Sequence, residues 1–250
     1  MSPTPPPQRL DQLLVSRQLF ESRSRARDAV VRGTVKVNGQ TVTKPGQVFG
    51  MDVSLEIEDP AQRYVSRAAL KLIAALDHFR VAVSGKICLD VGASTGGFTE
   101  VLLERGAAHV TAVDVGHGQM HPRLSEDLRV TNLEGLNARE LAGTHLEKQP
   151  VSFVVSDVSF ISLKLALPPA LNLAEPGAIC VLLVKPQFEA GRDAIGKGGL
   201  LKQPETAPAV AADLERWLTD EMGWTSLGII PSPITGGDGN KEFLLAGRKT

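Results

Sequence analysis

The sequence is poor in cysteine and has no long apolar run. Its two cysteines, Cys88 and Cys180, lie inside short apolar stretches, as buried strand thiols do, which argues against a disulfide framework and a zinc site. No stretch approaches the roughly 18 apolar residues that a membrane helix requires, and the N-terminal segment lacks the pattern of a secretion signal. These absences predict a folded, cytoplasmic protein without a resident metal.

Net charge is also nearly absent, at −1 over 250 residues, but its distribution is uneven. The first 50 residues carry eight basic and three acidic side chains, a net charge of +5, which leaves −6 for the remainder. This asymmetry is typical of a segment that binds a polyanion, although a solvated helix face gives the same pattern. The basic residues are Arg9, Arg17, Arg23, Arg25, Arg27, Arg32, Lys36 and Lys44.

The basic segment has the pattern of a small α+β module. It follows a proline-rich leader, residues 1–7, which we expect to be disordered. Leucines at near-helical spacing predict a first short helix, and a second is predicted after a capping serine, Ser22 or Ser24. Asn38-Gly39 between valine-rich segments predicts a hairpin with a two-residue turn.

Strand and helix patterns alternate from residue 66 onward. Short strands rich in Val, Ile and Leu, alternating with helices, indicate a parallel sheet covered on both faces, which is a doubly wound α/β domain. The last two strands have no helix between them, which permits an antiparallel pair at the sheet edge. Helices are predicted from Ser66 and near Gly97, Ala138, Ile161 and Glu205. Strands are predicted at 86–92, 109–115, 129–134, 152–158, 179–185, 226–232 and 242–248.

The first strand of this domain ends in a loop of small residues, DVGASTGGF (90–98). The loop departs from the dinucleotide pattern because Ser94 replaces the middle glycine. It matches the G-x-S-x-G elbow of hydrolases, but all five histidines precede the fourth strand of the sheet, so a catalytic triad is hard to complete. The third interpretation is a nucleoside pocket. Asp90 could hold an amino group, Asp114 ends the second strand at the spacing typical of ribose recognition, and Asn137 would border a base.

Two further motifs are weak. The stretch GRDAIGKG (191–198) resembles a phosphate loop, but its final glycine occupies the position of the Ser or Thr that ligates magnesium. His117 and His121 are four residues apart, but the glycine- and proline-containing sequence around them indicates a loop, where two histidines are a poor metal site. An NTPase and a metal centre are therefore disfavoured.

Four charged residues fall on elements that should be buried. Asp157 ends the fourth strand, Lys185 ends the fifth, Glu242 begins the last, and Lys71 lies on the helix before the first. Because a lone buried charge is costly, we expect the two lysines and two carboxylates to pair at one edge of the sheet. The arrangement is either an inert ion-pair network or a proton-handling site in which neighbouring charges tune a lysine as a general base.

Six motifs, in order along the chain, resemble those of one family. They are LDVGASTGGFTE, AVDVGHGQ, SDVSFISL, LVKPQFEAGR, GKGG and PITGGDGNKEFLL. Together they resemble the TlyA family of rRNA ribose 2′-O-methyltransferases, whose catalytic domain is of the FtsJ type. The basic segment is similar to the S4-type RNA-binding module that this family carries. The expected domains are a leader at 1–7, an RNA-binding domain at 8–59, a linker at 60–66 and a Rossmann-like methyltransferase domain at 67–250.

The resemblance also implies a site. In this family a Lys-Asp-Lys-Glu tetrad performs the transfer, and the matching residues are Lys71, Asp157, Lys185 and Glu242. The implied cofactor is S-adenosyl-L-methionine, with no metal. With the glycine loop included, the expected cofactor-binding residues are Asp90, Gly92, Ala93, Ser94, Gly96, Gly97, Phe98, Asp114, Val115, Asn137 and Asp157. The RNA-binding residues expected from the charge pattern are Arg9, Arg17, Arg23, Arg25, Arg27, Arg32 and Lys36.

The activity that the resemblance implies is 2′-O-methylation of a ribose, expected to be that of a cytidine, in ribosomal RNA. The large subunit is the expected target, and some relatives also act on the small subunit. The expected partner is ribosomal RNA or a ribosomal subunit, not DNA, which lacks the 2′-hydroxyl, and not a membrane. A monomer is expected. Two alternatives stay open: a membrane-active haemolysin, and an RNA-binding protein whose methyltransferase fold is inactive.

Overall fold

The chain divides into two compact units, Met1–Arg63 and Tyr64–Thr250. The computed structural model describes residues 6–146, 150–237 and 239–250. Residues 1–5, most of the leader that the sequence predicts to be disordered, lie outside the described residues. Each unit has its own hydrophobic core, as separate domains do.

The N-terminal unit combines two helices with short antiparallel strands. Its elements are β1 (Gln8–Arg9), α1 (Leu10–Ser16), α2 (Arg23–Val31), β2 (Val35–Val37), β3 (Gln40–Thr41), β4 (Val48–Phe49) and β5 (Leu55–Ile57). Leu10 and Leu14 of α1 and Ala26 of α2 lie in the core. Ser22 caps α2 by accepting a hydrogen bond from the backbone N–H of Arg25 at 3.3 Å, as predicted.

The predicted hairpin joins β2 and β3. Asn38 and Gly39 have φ values of +50° and +77°, the left-handed values that a type I′ turn requires. β2 also pairs with β5, which gives a three-stranded sheet in the order β3-β2-β5, and β1 pairs with β4.

The second unit contains a seven-stranded sheet. Its strands are β6 (Ile87–Val91), β7 (His109–Asp114), β8 (Val130–Glu134), β9 (Val151–Ser156), β10 (Ala174–Val184), β11 (Trp224–Pro231) and β12 (Phe243–Lys249). They lie in the order β11-β12-β10-β9-β6-β7-β8. Strands β6 to β10 pair in parallel, whereas β12 is antiparallel to both of its neighbours, β10 and β11. The predicted doubly wound α/β class is therefore confirmed.

Helices and two apolar layers cover this sheet. The helices are α3 (Ala69–Phe79), α4 (Gly97–Glu104), α5 (Pro122–Ser125), α6 (Leu163–Ala166), α7 (Pro168–Leu173), α8 (Pro186–Glu189) and α9 (Ala207–Asp220). Successive residues of a strand point to opposite faces, so Leu89 and Val154 join one layer while Cys88 and Phe153 join the other. The cysteines are free and buried, as predicted.

Two helical connections differ from the prediction. The helix expected near Ala138 is a single 3₁₀ turn, Ala138–Glu140, after which extended Leu141 inserts into the core. The helix expected near Ile161 is divided into α6 and α7. Pro168 begins α7, and because proline lacks the N–H that an uninterrupted helix would need, the division falls there.

Candidate active site

Two buried lysine–carboxylate pairs lie at one edge of the seven-stranded sheet. Lys185 Nζ is 2.6 Å from Asp157 Oδ1, and Lys71 Nζ is 2.6 Å from Glu242 Oε2. The four side chains are between 2% and 17% exposed. The pairing expected from the sequence is therefore observed.

The strand order explains why these residues meet. Asp157 follows β9 and Lys185 follows β10, its parallel neighbour. Glu242 precedes β12, whose first residue pairs with the last residue of β10 because the two strands are antiparallel. Lys71 reaches Glu242 from α3, which packs on one face of the sheet. Residues that are far apart in sequence thus converge at the carboxyl ends of the parallel strands.

Lys185 is held from two sides. Its ammonium group donates a hydrogen bond to Ser159 Oγ at 2.7 Å, in addition to the ion pair with Asp157. It also lies 6.0 Å from the centre of the Phe188 ring. An ammonium group has three N–H donors, so these contacts fix its position and leave donor capacity for a substrate oxygen. Sequence reasoning missed Ser159, although its position just beyond a strand end was a usable signal.

A cavity of about 520 Å³, within the size range of small-molecule sites, is lined by Asp157 of the Lys185–Asp157 pair. A smaller cavity of about 150 Å³ shares Gly92, Ser94, Asp157 and Ser159 with it and is also lined by Lys185. The predicted cofactor residues that line the larger cavity are Gly92, Ser94, Asp114, Val115, Asn137 and Asp157. Those that line only the smaller one are Ala93, Gly97 and Phe98. Asp90 and Gly96 are absent from the described lining of both.

Position 92 requires glycine. Its φ is +85°, and a Cβ there would lie 2.9 Å from Val158 N and 3.0 Å from the Asp157 carbonyl oxygen. Because these are backbone atoms, a side chain at position 92 would displace the segment that carries Asp157. The position of Asp157, and with it the Lys185–Asp157 pair, therefore depends on the glycine at position 92.

Asp114 joins two loops that surround the larger cavity. Its Oδ2 accepts a hydrogen bond from the Ser94 backbone N–H at 2.8 Å, and its Oδ1 accepts one from the Gly116 N–H at 2.7 Å. Each carboxylate oxygen keeps a second lone pair, so Asp114 can also accept from the hydroxyls of a ribose. The close backbone approach at Gly92, the acceptors of Asp114 and the cavity volume fit an adenosyl cofactor.

Asp90 lies behind the glycine loop. Its Oδ2 accepts a hydrogen bond from the Thr99 hydroxyl at 2.7 Å, whereas Oδ1 is buried without a partner among the described residues. Burial raises the pKa of Asp90 to about 7, and the nearby charges of Asp157 and Asp114 add to this effect against the Thr99 hydrogen bond. The structure therefore places Asp90 under the loop and not on a cavity wall.

An exposed aromatic residue borders the larger cavity. Phe160 is 90% exposed, has a φ of +66°, and its ring centre lies 5.2 Å from that of Phe188. A bulky residue rarely adopts a positive φ, and such strain clusters at binding sites. Sequence reasoning missed Phe160, because the pattern of the sequence does not separate an exposed phenylalanine from a core one.

The hydrolase interpretation finds no support. The Ser94 hydroxyl donates to Gln119 Oε1 at 3.1 Å, and no histidine is hydrogen-bonded to it within the part of the chain that the structure describes. Residues Arg192 and Lys197 of the phosphate-loop-like stretch lie in separate short 3₁₀ turns, where a phosphate loop would lead into a long helix.

Most of the predicted RNA-binding residues are paired within their own unit. Arg9 and Arg23 both contact the buried carboxylate of Asp11 at 3.1 Å. The other pairs are Arg17 with the carbonyls of Met51 and Val53, Arg25 with Glu21, Arg32 with Asp28 and Asp59, and Lys36 with Glu58. Of the seven, only Arg27 is exposed without a partner in the described ranges. The count of basic residues therefore overestimates the free positive charge.

The fold and this site define a methyltransferase of the Rossmann-like class. Residues 64–249 match the FtsJ-like methyltransferase family, and residues 8–51 match the S4 domain. The chain belongs to the FtsJ-like methyltransferases and, within them, to the TlyA family. It is 45% identical over 239 residues to the 16S/23S rRNA (cytidine-2′-O)-methyltransferase TlyA of Mycobacterium tuberculosis, which covers 95% of this chain and 88% of that protein.

Two other relatives carry a different name. The chain is 39% identical to Hemolysin A of Brachyspira hyodysenteriae, over 94% of this chain and 98% of that protein. A solved structure from Streptococcus thermophilus, also named as a hemolysin, has a TM-score of 0.76 and 41% identity and covers 98% of this chain and 89% of its own. No helix of the described residues has the length and hydropathy to cross a membrane. The comparisons confirm the predicted family, fold class and S-adenosylmethionine cofactor.

Proposed function

We propose that this protein uses S-adenosylmethionine to methylate the 2′-hydroxyl of a cytidine ribose in ribosomal RNA. The observation that carries the proposal is the Lys185–Asp157 pair, which lies at the junction of the two cavities and next to the Lys71–Glu242 pair. The names of the relatives supply the target nucleotide and the RNA. With ribosomal RNA as substrate, we expect the enzyme to act in the cytoplasm.

The larger cavity is the proposed cofactor site. Gly92 and Ser94 would approach the cofactor through the backbone, Asp114 would accept from its ribose, and Asn137 would border its base. When bound, S-adenosylmethionine supplies an electrophilic methyl group to an oxygen nucleophile. The protein then has two tasks, which are to position the nucleophile and to manage its proton.

Lys185 is the proposed residue for the hydroxyl proton. Its Nζ is fixed by Asp157 and Ser159 and lines the smaller cavity. Once the ammonium group has released a proton to solvent, the free amine can hold the attacking hydroxyl and accept its proton, which restores the ammonium group. Asp157 orients this ammonium group. Lys71, held by Glu242 at the same edge of the sheet, would supply a second positive charge as the oxygen loses its proton and becomes more negative.

RNA is the substrate that fits this chemistry. A 2′-hydroxyl distinguishes RNA from DNA, and proteins that recognise single-stranded RNA commonly stack its exposed bases on aromatic side chains. Phe160, exposed at the cavity and supported by Phe188, offers such a ring. The matched S4 domain would supply further contacts with the RNA.

The test is Lys185→Ala, assayed by methyl incorporation into rRNA and by mapping of the modified ribose. We expect activity to fall by about 10²- to 10⁴-fold, because a proton-handling group is removed. S-adenosylhomocysteine, measured by calorimetry, should bind as in the wild type. Lys86→Ala is the matched control, since Lys86 precedes β6 at the opposite end of the sheet and carries the same charge.

Three outcomes would contradict the proposal. Full activity in Lys185→Ala would remove this residue from the reaction. Equal losses of activity in Lys185→Ala and Lys86→Ala would reduce the effect to net charge. If the wild-type protein binds S-adenosylhomocysteine but methylates no rRNA ribose, the proposed substrate is wrong.

A further inference from the structure

One wall of the larger cavity is a loop that has little structure of its own. The segment Val115–His121 connects β7 to α5 without forming a helix or strand. It contains Gly116 and Gly118, of which Gly118 has a φ of +62°. Three residues of this segment, Val115, Gly116 and Gln119, line the larger cavity. A glycine-containing segment loses much conformational entropy on ordering, so some contact must hold it in place.

Glu134, the last residue of β8, makes that contact. Its Oε1 accepts hydrogen bonds from the backbone N–H groups of Gln119 at 2.9 Å and Met120 at 3.0 Å, and its Oε2 accepts one from the Gly118 N–H. Three consecutive N–H groups thus converge on a single carboxylate, which fills the concave anion site that they form. Gly135, the next residue, donates its N–H to the Gly116 carbonyl at 2.9 Å.

We infer that Glu134 is a positioning residue for the cofactor, acting through the Val115–His121 loop, an inference that rests on the proposed function. Glu134 itself is not among the described residues that line either cavity. Glu134 fixes the backbone of the loop, and Gly116 and Gln119 of that loop line the cavity. Gln119 in turn accepts a hydrogen bond from the Ser94 hydroxyl at 3.1 Å, so the same loop supports the glycine loop across the cavity.

The charge of Glu134 suits this task. Hydrogen bonds from Met120 and its neighbours lower the pKa of Glu134 to about 2, so the carboxylate is ionised at neutral and mildly acidic pH. A glutamine at this position could keep one acceptor oxygen but would present its amide N–H groups to the Gly118 N–H. The amide N–H groups of the glutamine would then face the Gly118 N–H, and the hydrogen bond that holds the loop at Gly118 would be lost.

Amide hydrogen exchange on ligand-free protein tests the first half of the inference. In the wild type we expect the amides of Gly118, Gln119 and Met120 to exchange slowly despite their irregular backbone. In Glu134→Gln they should exchange about tenfold faster or more. Glu126→Gln is the matched control, since Glu126 is exposed and its side chain makes no hydrogen bond or ion pair within the described residues. Rapid exchange in the wild type, or unchanged exchange in Glu134→Gln, would overturn the inference.

Calorimetry with S-adenosylhomocysteine tests the second half. We expect the dissociation constant to rise about tenfold in Glu134→Gln and to stay unchanged in Glu126→Gln. Glu126→Gln should melt at the wild-type temperature, whereas Glu134→Gln should melt somewhat lower but remain folded at the assay temperature. In steady-state assays the KM for S-adenosylmethionine should rise while kcat is retained. Faster exchange without a change in affinity would show that the loop does not position the cofactor. Failure of the wild type to bind S-adenosylhomocysteine would instead count against the proposed function.

Discussion

At the scale of single residues, Asp90 combines complete burial with incomplete hydrogen bonding. Thr99 satisfies one carboxylate oxygen, and the other has no partner among the described residues. Burial first, and then the charges of Asp157 and Asp114, raise the pKa of Asp90 from its ordinary 3.8 to about 7. The folded protein therefore retains a proton on Asp90 in a pH range where the unfolded chain releases it.

This difference predicts the pH dependence of stability. Because the pKa of Asp90 is raised in the folded protein, the contribution of this group to the free energy of unfolding is fully present below pH 3.8. The contribution is lost as the pH rises to about 7. Within this window the stability contributed by Asp90 should fall by about 1.4 kcal/mol per pH unit. Asp90→Asn, which keeps an acceptor for Thr99, should remove the part of the slope due to Asp90 and leave the part due to Glu189, whose pKa is also raised by burial. Urea unfolding at pH 5 and pH 7 measures it, and the fluorescence of Trp217 and Trp224, the two tryptophans of the chain, reports on this unit.

The control for this prediction is Asp220→Asn, which removes an exposed carboxylate at the end of α9. It should leave the slope of the wild type unchanged. A slope in Asp90→Asn that equals that of the wild type would assign the pH dependence to other groups.

The residues that sequence could and could not predict differ in a physical way. Lys71, Asp157, Lys185 and Glu242 are conspicuous because charges on buried elements must pair. Glu134 is not conspicuous, because its role depends on backbone N–H groups that no side-chain pattern encodes. Likewise, pairing of the basic residues depends on which acids the fold brings near them.

At the scale of elements, Lys249 links the last strand to a helix. Its ammonium group donates hydrogen bonds to the carbonyls of Leu171 at 2.9 Å, Asn172 at 3.0 Å and Ala174 at 2.7 Å. Leu171 and Asn172 belong to the last turn of α7, whose carbonyls have no partner within the helix. A cation at this position also complements the negative end of the helix dipole.

Lys249→Met should therefore destabilise the second unit. The substitution keeps the length of the apolar chain but removes three donors, and we expect a loss of about 1–3 kcal/mol in unfolding free energy. The melting temperature, followed by tryptophan fluorescence, should fall by several degrees. Lys164→Met, at an exposed position of α6, is the control and should melt as the wild type does. Equal melting of both variants would remove the stabilising role from Lys249.

Elements with strong local patterns were predictable, and elements limited by tertiary contacts were not. The Asn38-Gly39 turn and the buried strands followed from periodicity and turn chemistry. The short helices after β8 and β9 were not predictable in this way. The 3₁₀ turn after β8 ends at a leucine that enters the core, and the helical segment after β9 is divided at a proline.

At the scale of the whole molecule, most basic side chains of the N-terminal unit are paired with acceptors of the same unit. Two of its arginines bind the carboxylate of Asp11, and Arg32 binds Asp28 and Asp59. Exposed arginines in such pairs can still contact phosphate. An arginine without a partner can do so without first breaking an ion pair. Arg27 is therefore the first residue to test for RNA binding.

Arg27→Ala should weaken binding to an rRNA fragment and reduce the slope of log K against log salt concentration by about 1, because one phosphate contact is lost. S-adenosylhomocysteine affinity should not change. Arg216→Ala, at an exposed position of α9 in the other unit, removes the same charge and should leave the slope as it is. A slope that is unaltered in Arg27→Ala, or equally reduced in both variants, would contradict a specific role for Arg27.

The position of β12 sets the order in which the enzyme can assemble during translation. This strand is the last of the seven in sequence, yet it pairs with β10 on one side and β11 on the other, and Glu242 immediately precedes it. The N-terminal unit can fold while the ribosome is still adding residues, at about 5–20 per second. The seven-stranded sheet is incomplete until β12 has emerged, so a nascent chain that lacks this strand and Glu242 cannot yet form the Lys71–Glu242 pair beside β10.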